Sequence, residues 1–221
     1  MIAAVVFDLD GVLLDSEQVW SEVKREAVRD WGGRWHEGAA VAMMGMSSLE
    51  WSAYIANELE VDRAPAEIDA EVVRRMQDCY RRQLPLLSGA VEAVERLASR
   101  WPLGLASSSN RVLIDEVLET AGLSQQFRVT VSSEEVERGK PAPDVYLEAA
   151  RRLGVEPASA AAVEDSAAGI RSAFEAGMRV IVIANPHYPP DDEAMATADV
   201  VLSSLEELST DVVDPGYSIS M

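Results

Sequence analysis

The run Val5-Val6-Phe7-Asp8-Leu9-Asp10-Gly11-Val12 constrains the fold more than any other stretch of the chain, because an apolar strand ends there in two carboxylates one residue apart and then a glycine. A carboxylate at the end of a core strand loses hydration and has to recover it from a cation or from hydrogen-bond donors. In extended chain Asp8 and Asp10 point one way and Leu9 the other, which predicts a pair of acids above an apolar anchor. Gly11 permits a tight turn and lets a ligand approach the backbone closely. An aspartate-rich turn from strand to loop is the plainer reading of the same residues, so the rest of the chain has to decide.

Further strands are predicted at residues 2–7, 103–106, 129–131, 160–163, 180–183 and 200–202, with helical periodicity at 90–99, 112–121, 144–153 and 167–176. Gly122, Gly154 and Gly177 stand where three of these helices stop. Strand alternating with helix implies a doubly wound α/β domain, a parallel sheet covered on both faces. Between residues 16 and 87 the pattern changes: helical segments at 17–31, 47–59 and 65–83 follow one another with no strand between them. The expected organisation is therefore an α/β core made of residues 1–15 and 88–221, interrupted by an all-helical insertion of residues 16–87. Inserted directly after the first strand, it hangs over the C-terminal edge of the sheet, where open α/β sheets bind ligands. Trp20, Met43, Met44, Met46 and Trp51 read first as packing within the insertion or between it and the core.

Charge narrows the partners. The 38 acids against 19 bases give a formal net charge of −19, which leaves no basic patch for nucleic acid or an anionic membrane. No apolar run approaches the roughly 20 residues of a membrane helix and no signal-peptide pattern opens the chain, so a cytoplasmic location is expected. Cys79, the single cysteine, lies in a helical pattern and reads as packing, and His36 and His187 read as surface or loop residues. So acidic a chain needs local cations to hold a phosphate, yet it has only two lysines, Lys24 and Lys140. Lys140 stands in Gly139-Lys140-Pro141-Ala142-Pro143-Asp144, where a compact ammonium fits a place that a guanidinium would not. A surface lysine in a proline-rich turn is the alternative.

Two more strand ends carry polar groups to the same edge. Leu103 to Ala106 runs into Ser107-Ser108-Ser109-Asn110, hydroxyls and amides able to hold phosphate oxygens, or else a helix N-cap supplied by one of the serines. Residues 160–163 run into Glu164-Asp165-Ser166. Capping explains Asp165 or Ser166, but it does not ask for two consecutive acids at the end of a buried strand.

Asp8 and Asp10, Ser107, Lys140, and Glu164 with Asp165 form an ordered set of four motifs. In that order they resemble the haloacid dehalogenase-like superfamily, in its capped phosphatase and β-phosphoglucomutase-like branch, over nearly the whole chain. The resemblance implies a Rossmann-like core with a helical cap and an Mg²⁺-dependent phosphatase acting on a small phosphorylated metabolite, a sugar or polyol phosphate. It implies Asp8 as nucleophile and Asp10 as general acid and base. Ser107 and Lys140 would bind the phosphoryl oxygens, and Mg²⁺ would be held by Asp8, the Asp10 main-chain carbonyl, Asp165 and, directly or through water, Glu164. Dehalogenases of the superfamily need no proton donor, so Asp10 points to phosphoryl transfer. A sugar-phosphate mutase is the alternative, although such mutases place a His where this chain has Trp20 and an Arg where it has Ser48. A non-enzymatic phospho-acceptor of the receiver type is a third reading, opposed by the large insertion and by Asp10. Trp20 and the segment Gly45-Met46-Ser47-Ser48 are the residues expected to touch substrate.

Overall fold

The computed structural model describes residues 1–44, 46–186 and 188–216. The strands are β1 (Ala4–Phe7), β2 (Leu103–Ser107), β3 (Phe127–Ser132), β4 (Ala160–Glu164), β5 (Arg179–Ile183) and β6 (Val200–Leu202). Between β1 and β2 come helices α1 (Glu17–Asp30), α2 (Ala39–Ala42), α3 (Ser48–Asn57), α4 (Pro65–Arg82) and α5 (Ala90–Ala98). The helices that follow are α6 (Arg111–Thr120), α7 (Asp144–Leu153), α8 (Ala167–Glu175), α9 (Asp192–Met195) and α10 (Thr210–Val213). Every long segment expected from periodicity is present. The short α2, α9 and α10 were not foreseen, since four residues carry too little periodicity to register.

The six strands form one parallel sheet in the order β3-β2-β1-β4-β5-β6. Strand alternation then sorts the core into two halves. Val5, Phe7, Leu103, Leu105, Val163 and Ile181 face one way, against α5 and α6, while Ala4, Val6, Ala106, Ala162 and Val180 face α7 and α8. Each fully buried side chain the size of Phe7 contributes about 1.5–3 kcal/mol, and α7 and α8 bring residues as small as Ala149, Ala150 and Ala173 close onto the alanine-rich face of β4.

Two features place the site. Strand order reverses between β1 and β4, so the crevice outside their carboxyl ends is the expected ligand position of an open α/β sheet. The helices α1 to α4 pack their own core, including Trp20, Ile55, Ile68 and Met76, continuously with that of the sheet. Cys79 packs at its margin, as expected. His36 is exposed, as expected of a surface residue, with a ring nitrogen 3.1 Å from the Tyr54 hydroxyl. His187 lies outside the described residues. Among the described residues no helix is long and apolar enough to cross a membrane.

Candidate active site

The ends of β1, β2 and β4 deliver the acids and hydroxyls. The Asp8 amide donates to the Val163 carbonyl at 2.9 Å, which pins the residue after β1 to β4. Glu164 closes β4, and Asp165 follows it. Ser166 caps α8, its hydroxyl accepting from the Gly169 amide at 3.0 Å. Lys140 enters from the loop before α7, and its ammonium donates to Asp8 Oδ1 at 2.7 Å, Glu164 Oε1 at 2.6 Å and the Ala106 carbonyl at 3.0 Å. Three protons meet three acceptors, so this lysine is buried and fully engaged, and is no surface residue of a turn.

Glu164 is wholly buried. Its Oε1 also accepts from the Tyr146 hydroxyl at 2.6 Å, and its Oε2 accepts from the Asp165 amide at 3.1 Å and the Ser166 hydroxyl at 3.3 Å. Asp165 Oδ2 accepts from the Asn185 side-chain amide at 3.2 Å. Asp8, Glu164 and Asp165 each offer an oxygen within 4.8 Å of the others, and the Lys140 ammonium pairs with the first two of them. Burial, followed by the Glu164 charge, pushes Asp8 up to about 7 against the pull of Lys140. Burial alone would lower Lys140, but Asp8 and Glu164 outweigh it and hold the ammonium charged well above its ordinary value. Burial and the neighbouring Glu164 and Asp8 charges push Asp165 up as well. A cluster short of positive charge and offering only hard oxygen donors fits a divalent cation.

Two glycines leave room for this cluster. A methyl group on Gly11 would overlap the Asp165 carboxylate, and one on Gly169 would overlap the Glu164 carboxylate. Gly11 also has φ +81°, in the left-handed region. Gly11→Ala is therefore expected to lose about 1–3 kcal/mol of stability and to weaken divalent-ion binding. Thermal unfolding with and without Mg²⁺ checks this, and an unchanged response to the ion would contradict it.

Asp10 points elsewhere. Its Oδ1 accepts from the Ser16 hydroxyl at 2.5 Å and the Trp20 ring nitrogen at 3.3 Å, and its Oδ2 accepts from the Ser109 hydroxyl at 2.6 Å. Its side chain is thus separate from the cluster of Asp8, Glu164 and Asp165, and only its main chain is left to the ligand role expected of it. Ser107 is buried at the end of β2, its hydroxyl accepting from the Ser109 amide at 3.0 Å. The serine run does not cap α6; Asn110 holds that position.

One cavity of about 720 Å³ is lined by Asp8, Asp10, Ser107, Lys140 and Asp165 on the core side and by Trp20 on the helical side. Met46 and Ser48 also line it, but the Ser48 hydroxyl donates to Asn110 Oδ1 at 2.9 Å and so ties α3 to the core. Ser47 is engaged with Glu50, its amide at 2.8 Å and its hydroxyl at 2.7 Å from Oε2, in the cap of α3. Gly45 lies outside the described residues. Sequence reasoning missed Tyr146, Asn185 and Ser109 as partners of the acids. It also missed Lys24 in the cavity wall, although Glu17, Trp20, Ser21 and Lys24 share the spacing of one helix face.

Comparison with known proteins gives the family. Residues 2–177 match the family model described as haloacid dehalogenase-like hydrolase. Hexitol phosphatase B of Escherichia coli (strain K12) is 33% identical over 219 residues, covering 94% of this chain and 95% of its own. The bifunctional riboflavin kinase/FMN phosphatase of Arabidopsis thaliana is 30% identical over 208 residues, but the chain spans only 54% of that protein's length. Among solved structures, CbbY from Rhodobacter sphaeroides in complex with phosphate superposes with a TM-score of 0.83 at 27% identity, covering 94% of this chain and 96% of that one. Fold and family model define the class of the protein, a hydrolase. The chain belongs to the haloacid dehalogenase-like hydrolase family.

Proposed function

We propose that this protein is an Mg²⁺-dependent phosphatase that hydrolyses a small sugar or polyol phosphate through an aspartyl phosphate on Asp8. The observation that carries the reading is the buried Asp8 carboxylate, held at 2.7 Å by Lys140 and open to a cavity it shares with Asp10 and Ser107. In the first half-reaction a bond forms from an Asp8 oxygen to phosphorus as the bond to the substrate oxygen breaks, and Asp10 gives its proton to the departing alkoxide. In the second, Asp10 takes a proton from water as the water oxygen attacks phosphorus and the bond to Asp8 breaks. One carboxylate serves both steps because its proton cycles between them.

Ser107 and Lys140 bind the phosphoryl oxygens, and Lys140 also restrains Asp8. Without that ammonium, a carboxylate approaching a phosphate dianion meets strong repulsion in a water-poor cavity. Asp8, Asp165, the Asp10 carbonyl and Glu164 nearby would hold Mg²⁺, which supplies further neutralisation of the phosphoryl charge. The engagement of Glu164 by Lys140, Tyr146 and Ser166 supports a supporting role for it behind the ion rather than a leading one. Residues 16–87 act as a cap, limiting substrates to small molecules and excluding bulk water.

A screen of phosphorylated metabolites with Mg²⁺ tests the proposal. It should find inorganic phosphate released from sugar or polyol phosphates, and no release on chelation of the ion. Interconversion of glucose-phosphate isomers without release of phosphate would overturn it in favour of a mutase.

A further inference from the structure

Lys24 lines the cavity from α1, on the wall opposite the sheet, and the mechanism above does not use it. The residue is 7% exposed. Its ammonium lies 4.9 Å from the centroid of the Trp20 ring and 4.8 Å from that of Trp51. Those rings stand 6.1 Å apart with 58° between their planes, a tilted pair of walls around the charge. Among the described residues these ring faces are the contacts of the ammonium, with no hydrogen bond or ion pair to it. Aromatic faces recover part of the lost hydration of a cation, but they accept no proton. Three N–H groups in a buried position are left for something that enters the cavity.

The position of Lys24 says which part of a substrate that is. The Trp20 ring nitrogen donates to Asp10 Oδ1 at 3.3 Å while the face of the same ring meets the Lys24 ammonium. Lys24 therefore lies one indole beyond the proposed general acid, on the side of the leaving group and away from the phosphoryl group. Glu17 lines the cavity from the same face of α1, two turns back. Burial lowers Lys24 to about 8, with the Glu17 and Asp10 charges opposing it, so the ammonium is the main form at neutral pH.

We propose, resting on the phosphatase reading, that Lys24 is a specificity determinant that donates to a hydroxyl of a polyhydroxy leaving group at its end remote from the phosphate. A hydroxyl suits this corner better than a second anion. It accepts from the ammonium and also donates to a carboxylate such as Glu17, whereas an anion would face the Glu17 and Asp10 charges with one cation to offset them. The other cations in the wall are taken, Lys140 by Asp8 and Glu164, and Arg171 by Asp191 at 2.7 Å.

The test compares wild type, Lys24→Met and Lys24→Gln with Mg²⁺ on three esters: a six-carbon polyol phosphate, p-nitrophenyl phosphate, which has no hydroxyl, and a sugar bisphosphate. Met keeps the length of the side chain and removes its donors. For Lys24→Met, kcat/KM on the polyol phosphate is expected to fall roughly 10- to 100-fold, mostly through KM, and on p-nitrophenyl phosphate by less than about 3-fold. Lys24→Gln, which keeps an N–H donor, should recover part of the loss. Equal losses on the polyol and aryl esters, or no loss on the polyol ester, overturn the proposal. A larger loss on the bisphosphate than on the polyol phosphate overturns it too, in favour of an anion site. Wild-type turnover of p-nitrophenyl phosphate separates these failures from failure of the phosphatase reading, in which case no ester is hydrolysed.

Discussion

Asp8→Asn is expected to abolish phosphate release, lowering kcat by at least roughly 10⁴-fold, while the protein stays folded. An amide nitrogen or oxygen does not attack phosphorus as a carboxylate oxygen does, so no aspartyl phosphate can form and nothing downstream proceeds. The fold should tolerate the change because Asn has the same shape, and because Glu164 still pairs with the Lys140 ammonium when Asp8 no longer carries a charge. Removing one negative charge relieves the burial and repulsion that push Asp8 up to about 7, so the thermal midpoint without metal should hold or rise. Turnover of a polyol phosphate and a melting curve on the same sample check both halves. More than about one per cent of wild-type turnover would be incompatible with Asp8 as the nucleophile.

Asp10→Asn separates proton transfer from attack. An alkoxide cannot leave without a proton, so loss of the general acid should slow hydrolysis of an alkyl phosphate by roughly 10²- to 10⁴-fold. p-Nitrophenolate leaves unaided, so the first half-reaction with its ester should be slowed far less. The second half-reaction still needs a base. With the aryl ester the variant should therefore show a burst of p-nitrophenol followed by slow turnover, as phosphoenzyme accumulates. Since Asp10 accepts from Ser16, Trp20 and Ser109, an Asn there keeps the first two donors only by turning its amide nitrogen to Ser109, whose hydroxyl must then accept, and a melting curve should accompany the rates. Equal slowing of alkyl and aryl esters, with no burst, would remove Asp10 from the proton-transfer role.

The sheet, its two-sided covering and the helical insertion were legible because strand alternation and helix periodicity carry over directly into buried faces. Phe7 and Val5 turn to one half of the core and Ala4 and Val6 to the other, as a period of two requires. The acids were legible for a different reason: Asp8, Glu164 and Asp165 stand at the ends of strands too apolar to want them. Their partners were not. Tyr146 reads as one apolar position of α7, and nothing in its spacing shows that its hydroxyl reaches Glu164. The run Ser107-Ser108-Ser109 offers an N-cap serine as readily as a site hydroxyl, and nothing in its spacing shows that Ser109 reaches Asp10 while Asn110 takes the capping position. Lys24 escaped because an isolated lysine on an amphipathic helix is ordinarily a solvated end, and only the meeting of α1 with Trp51 of α3 buries it.

The most direct test of the central claim, phosphoryl transfer to Asp8 beside a divalent ion, is a crystal structure of the protein with Mg²⁺ and beryllium fluoride, which mimics a phosphorylated carboxylate. The account predicts beryllium bonded to the Asp8 carboxylate, fluorides facing Ser107 and Lys140, and Mg²⁺ against Asp8 and Asp165. A beryllium adduct on any other residue, or an ion seated away from those two aspartates, would contradict it.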